Sequence, residues 1–90
     1  MSYELVVMPR ADKQLDRIAT WWEANRPESR ISIRDACKRA FDLLAKFPQS
    51  GVRVAGGKRS WHLTDAPYVI RYRVRRRQQI VEILGVTGSR

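Results

Sequence analysis

Hydrophobic and polar positions alternate most regularly in Tyr68-Val69-Ile70-Arg71-Tyr72-Arg73-Val74-Arg75. Tyr68, Ile70, Tyr72 and Val74 share one face, while Val69, Arg71, Arg73 and Arg75 share the other. Strict alternation marks a half-buried strand, so one face belongs to a core and the other carries a row of guanidinium groups. Elsewhere the period changes. Tyr3 to Met8 is a short β-rich run that Pro9 stops. From Ala11, the residues Leu15, Ile18 and Trp22 recur at helical spacing, with Asp12 and Asp16 in the early turns, where the helix dipole favours negative charge. Asn25-Arg26-Pro27 breaks this helix. A second one is predicted from about Glu28 to Phe47, with Ile33, Cys37, Ala40, Leu44 and Phe47 on one stripe widened by Ala36, Phe41 and Leu43. Pro48 ends it, and Gln49 to Gly57 reads as a loop. Trp61 and Leu63 then alternate with Ser60, His62 and Thr64 as a second strand. Asp65-Ala66-Pro67 is a turn before the alternating strand, and a turn near Arg76-Arg77-Gln78 leads to a last strand over Gln79 to Val86.

The predicted order is β-α-α-β-β-β. It describes an α+β fold in a single domain over residues 1–90. A helical hairpin packs on one face of a largely antiparallel four-stranded sheet, whose last three strands form a meander. The opposite face, with its arginines, is left open to a partner.

Composition narrows the possible functions. A chain of 90 residues buries only about 60–65% of its unfolded surface and gains much from a partner. No apolar run approaches the ~20 residues of a membrane span, and the N-terminus lacks a signal-peptide layout. Cys37 stands alone and cannot form an internal disulfide, and with one His no metal site is expected. These features fit a reducing cytoplasm. No cofactor is implied. Gly56-Gly57-Lys58 lacks the phosphate-loop spacing and a following helix, so it reads as a flexible turn. The net charge of +9 is unevenly placed: residues 1–48 hold nine Lys/Arg against seven Asp/Glu, whereas residues 49–90 hold nine against Asp65 and Glu82 alone. The second half therefore suits an acidic partner, either a nucleic acid or an acidic protein segment.

Arg71, Arg73 and Arg75, with Lys58 and Arg59, are the candidate contacts for that partner, because planar guanidiniums donate to both oxygens of a carboxylate or phosphate. The bland alternative is a solvated strand that resists aggregation. Eight basic residues between Arg53 and Arg77 against one acid exceed what solubility requires. His62 can act as acid or base near neutral pH, or stand as an ordinary half-exposed strand residue. Trp21 and Trp22 are adjacent and cannot share one helix face. Trp22 fits the apolar stripe; Trp21 sits at its boundary, packed against the sheet edge or a partner helix. Both are expected to be largely buried. Trp61 is expected to pack inward, and Cys37 to be a small buried hydrophobe.

The order of elements and several anchors resemble the RelE/ParE superfamily of toxins from bacterial type II toxin–antitoxin modules. The anchors are Ala11-Asp12…Ile18…Trp22, then Leu43-Leu44…Phe47-Pro48…Gly51, then Tyr68-x-Ile70-x-Tyr72-x-Val74 and Ile80-Val81-Glu82-Ile83-Leu84-x-Val86 with a terminal Arg90. The resemblance implies a cytoplasmic toxin held inactive in a hetero-oligomer by an acidic, partly disordered antitoxin. Two branches differ in target. RelE-like members cut mRNA on the ribosome, whereas ParE-like members poison DNA gyrase. The nuclease branch carries two alternating lysines where this chain has Ser60 and His62, and an arginine where it has Val69. Its further basic residue and Tyr or His near the end are reduced here to Arg90, after Thr87-Gly88-Ser89. These departures favour the ParE-like branch, in which Lys58, Arg59, Arg71, Arg73, Arg75 and Trp21 serve antitoxin or target binding. A ribosome-dependent endoribonuclease is the alternative, with His62, Arg71, Arg73 and Arg90 as its candidate catalytic set.

Overall fold

The computed structural model describes residues 2–89. Strand β1 (Glu4–Val7) leads into helix α1 (Pro9–Asn25), helix α2 (Ile33–Lys46) and four further strands: β2 (Val52–Val54), β3 (Lys58–His62), β4 (Tyr68–Arg75) and β5 (Ile80–Gly88). The five strands form one sheet in the order β1-β5-β4-β3-β2. β1 runs parallel to β5, and the other pairings are antiparallel. The α+β reading and the largely antiparallel sheet hold, but the sheet has five strands rather than four.

The additional strand comes from the segment expected to be a loop. Val52-Arg53-Val54 pairs with Ser60, Arg59 and Lys58, and Gly56 and Gly57 adopt φ of 79° and 69°. Left-handed backbone at both glycines closes a tight hairpin. The pair is therefore a structural turn, and three residues of alternating β-branched character suffice for an edge strand. β3 begins two residues earlier than the Trp61–Leu63 alternation suggests, because it is drawn out by this partner.

Helix boundaries follow local chemistry. Pro9 occupies the first turn of α1, where its missing N–H costs nothing, so it ends the strand and starts the helix. α2 begins at Ile33, not Glu28. Ser32 Oγ accepts from the Asp35 amide at 3.2 Å, and this cap outweighs the preference of Pro27 for a helix start. Seven residues, 26–32, thus separate the helices. At the other end Phe47 is the C-cap, with φ −129° and ψ 72°. The chain leaves the helix there, and the Phe47 ring is 61% exposed instead of completing the apolar stripe.

One core joins the layers. Ala11, Ala19 and Trp22 of α1, and Ile33, Ala36, Cys37, Ala40, Phe41 and Leu44 of α2, cluster with Ile70, Tyr72, Val81, Ile83 and Val86 of the sheet. Ile70 and Tyr72 are fully buried, with Tyr68 and Val74 half-buried at either end of the same face. Tyr72 Oη donates to Pro48 O and accepts from the Gly51 amide, both at 2.8 Å. The strand thereby anchors the α2–β2 connection. The exposed edge of β5 beyond β1 is closed differently: Gln14 Oε1, from α1, accepts the Val86 amide at 2.9 Å. At this point β5 bulges, with Arg71 opposite Gly85 and Tyr72 opposite Ile83.

Candidate functional site

Because both helices cover one sheet face, the side chains that alternate with the core strand residues line the other. On β4 these are Val69, Arg71, Arg73 and Arg75. Across from them β3 places Ser60 opposite Arg71 and His62 opposite Val69. β5 places Thr87 opposite Val69, Gly85 opposite Arg71 and Glu82 opposite Arg73. Directly paired residues point to the same side of a sheet, so this register assembles a single surface. At its edge β2 adds Val52, opposite Ser60, and Val54, opposite Lys58. Both valines are exposed.

The expected residues divide among different places. Arg71 and Lys58 converge in a shallow cleft of about 140 Å³, together with Leu84, Thr87 and Arg10 from the start of α1. Arg73 is half-buried in the same row. Arg75 is less available, since its Nε lies 3.0 Å from Glu82 Oε1. That carboxylate is the only acid in the row. Arg59 alternates with Lys58 and pairs with buried Tyr72, so it belongs to the other side of the sheet. There its Nη1 donates to Gly51 O at 2.8 Å and to Gln49 O at 3.3 Å, and it holds a loop besides any role toward a partner. Arg90 lies outside the described residues.

Trp21 does not line this cleft. It is 51% exposed, against the expectation that both tryptophans are largely buried, because Trp22 takes the inward position. Trp22 is buried edge-on to Tyr68, with ring centroids 6.1 Å apart, and the Arg26 guanidinium lies 5.0 Å from its ring centroid. Trp21, Trp22, Arg26, Pro67 and Tyr68 line a cleft of about 330 Å³, at the end of β4 opposite Arg75. Arg10, Val52 and Val54 of this surface were not legible in the sequence. Arg10 joins it only through the packing of α1 beside β5, and the β-branched alternation of Val52 and Val54 is short enough to pass for a loop.

The charged groups on this face are mainly cationic. His62 is exposed beside Val69 and Ser60, and no carboxylate is paired with it across the strands. Among the described residues no group of His, Cys, Asp and Glu could hold a metal ion, and no helix is long and apolar enough to cross a membrane. Cys37 is buried, and desolvation pushes its thiol up to about 11. That makes it a core residue and not a nucleophile.

The fold has close parallels. A solved structure described as the chromosomal ParDE toxin–antitoxin system from P. aeruginosa superposes with a TM-score of 0.81 at 18% identity, covering 99% of this chain and 98% of that one. The toxin–antitoxin complex RelBE2 from Mycobacterium tuberculosis superposes with a TM-score of 0.67, also at 18% identity, covering 98% and 92%. At such identities these likenesses speak for the fold. Sequence carries the family. The protein named "Putative toxin Y4kP" from Sinorhizobium fredii (strain NBRC 101917 / NGR234) is 32% identical over 77 residues, or 83% of this chain and 79% of the relative. Residues 5–90 match the family described as ParE toxin of type II toxin–antitoxin system, parDE. With the RelE/ParE fold, a basic open face and a match over almost its whole length, the chain belongs to the ParE toxin family of type II toxin–antitoxin systems.

Proposed function

We propose that this toxin arrests growth by engaging DNA gyrase in the cytoplasm through its open basic face, and that a cognate acidic antitoxin neutralises it by covering the same face. The observation that carries this reading is the register of β3 on β4. Ser60, His62 and Val69 share one surface with Arg71. These are the positions at which the resemblance to RNA-cutting relatives calls for two lysines and an arginine. A phosphodiester cleavage needs an acid, a base and a charge clamp held together. This surface offers Arg71 and Arg73 as a clamp, with His62 as its single imidazole. Binding a large target asks less: a charged surface with apolar borders, which Arg10, Lys58, Arg71 and Arg73 beside Val52, Val54 and Leu84 provide.

The test uses purified gyrase and purified chain. Supercoiling of relaxed plasmid should be inhibited and cleaved DNA should accumulate, with both effects reversed by the antitoxin. In cells, induction should bring filamentation and DNA-damage signalling before any fall in protein synthesis. An immediate stop in translation with cut transcripts and normal supercoiling would instead assign the chain to the ribosome-dependent nucleases.

A further inference from the structure

A second cationic cleft lies at the end of the sheet and shares Lys58 with the row on the open face. Arg53, Lys58, Arg59 and Arg76, with Val54 and Val74, line a cleft of about 370 Å³ where the β2–β3 turn meets the end of β4. The volume lies within the range of small-ligand sites. Its lining contains four cations and no carboxylate. Among the described residues the ion pairs are Arg34–Asp16 and Arg75–Glu82, so none of these four cations has an acidic partner. Like charges gathered without a counter-charge repel one another, and an anion relieves that repulsion.

One member is also held in place. The half-buried Arg59 guanidinium donates to the carbonyls of Gly51 and Gln49. Those bonds fix its plane without neutralising its charge, so little side-chain freedom is lost when an anion arrives. Tyr72 anchors the same loop from below through Gly51 and Pro48. Gly57 borders the cleft with open space where a side chain would stand, so a ligand can approach the backbone of the turn.

We propose that this cleft binds a ligand with linked phosphates, of the inorganic polyphosphate or nucleoside triphosphate class. Charge density selects phosphate over carboxylate. A carboxylate brings one negative charge, a phosphate roughly two, and a chain of phosphates concentrates several along a cleft lined by four cations. Guanidiniums suit the geometry, since each donates to two oxygens. Val54 and Val74 add apolar surface to the lining that a nucleobase can cover. The inference rests on the cleft alone and stands whether or not gyrase is the target.

The experiment is a titration of the purified full chain at low ionic strength, followed by calorimetry and by the amide resonances of Gly51 and Gly57. Inorganic triphosphate should bind saturably, shift both glycine amides, and weaken as salt is raised. Arg53→Gln with Arg76→Gln should lower affinity roughly tenfold or more, the scale of losing charge-assisted hydrogen bonds. Arg30→Gln with Lys38→Gln removes the same charge from exposed positions on the helical layer, and should change affinity by less than about twofold. Unchanged thermal melting shows that both double variants are folded. Adenosine triphosphate binding more tightly than inorganic triphosphate assigns a nucleotide, and equal affinity assigns a polyphosphate. The proposal is overturned by lack of saturation, by equal losses in the two double variants, or by a hexaglutamate peptide binding as tightly as triphosphate. The last outcome would make the cleft a docking point for an acidic protein segment.

Discussion

Tyr72 shows how one side chain can serve the core and a loop at once. Its ring is fully buried, and its hydroxyl bonds both Gly51 and Pro48. Replacing it with Phe keeps the packing but leaves a buried N–H and a carbonyl without their partner. Such groups cost about 1–3 kcal/mol each when unsatisfied. Tyr72→Phe should lower urea-unfolding stability by about that amount once, since the carbonyl can be rehydrated, and should speed hydrogen exchange at the Gly51 amide. Unchanged exchange would mean that the loop is held by Arg59 alone. Cys37 makes a second residue-scale prediction. Burial raises its thiol from 9.0 to about 11. The folded state therefore binds the proton more tightly than the unfolded chain. The stability this gives is complete below pH 9.0 and is lost as pH rises toward about 11. Thermal melts should decline over that window, and Cys37→Ala should decline less steeply, at the expense of a small cavity at neutral pH. Equal slopes would show that other groups govern the alkaline limit.

At the scale of elements, the join between α1 and β5 is the most specific contact in the fold. Gln14 Oε1 caps the Val86 amide on the exposed edge of β5, and a Cβ built on Gly85 would lie 2.9 Å from that same oxygen. Gly85→Ala should therefore push Gln14 aside and cost about 1–2 kcal/mol, as should Gln14→Ala through the lost hydrogen bond. The double variant should cost clearly less than the sum, because both changes break one interaction. Strict additivity in chemical denaturation would show that the two sites are independent. This contact also marks what a linear reading misses. The alternation of Tyr68 to Val74 and the Ala11–Trp22 and Ile33–Leu44 spacings were legible because each repeats one period over several residues. They located the core and the face of the arginines. The β1–β5 pairing, the bulge at Gly85 and the Gln14 cap join residues distant in the chain, and no local period encodes them. The start of α2 was legible in principle from Ser32 and Asp35, but Pro27 offered a competing signal. β2 fell between, since three residues are too few for a period to stand out.

For the whole molecule, charge placement outweighs charge total. Over the described residues 49–89, eight Lys/Arg stand against Asp65 and Glu82, and this charge is carried by strands β2 to β5 and their turns, while the helices hold nearly balanced charge. A one-sided field of this kind steers an oppositely charged partner to one face and raises association rates by factors of about 10–10³. Salt at physiological strength screens exposed charges beyond about 8 Å. The association of this toxin with the acidic antitoxin proposed above should therefore slow as salt is raised, with dissociation changing much less. Arg71 and Arg73 are the residues through which to test this, because both project from the middle of β4 and neither lies within ion-pair distance of an acid among the described residues. Arg71→Glu with Arg73→Glu should reduce the association rate at least about tenfold at low salt and flatten its salt dependence, with melting temperature lowered modestly because Glu at position 73 would face Glu82. Arg30→Glu with Lys38→Glu, an equal change of net charge on the helical layer, should act far more weakly. If stopped-flow mixing finds the two double variants equally slow, attraction to the molecule as a whole governs encounter. The open sheet face would then lose its claim to be the docking surface, and the exposed Trp21 cleft at the far end of β4 would become the next surface to mutate.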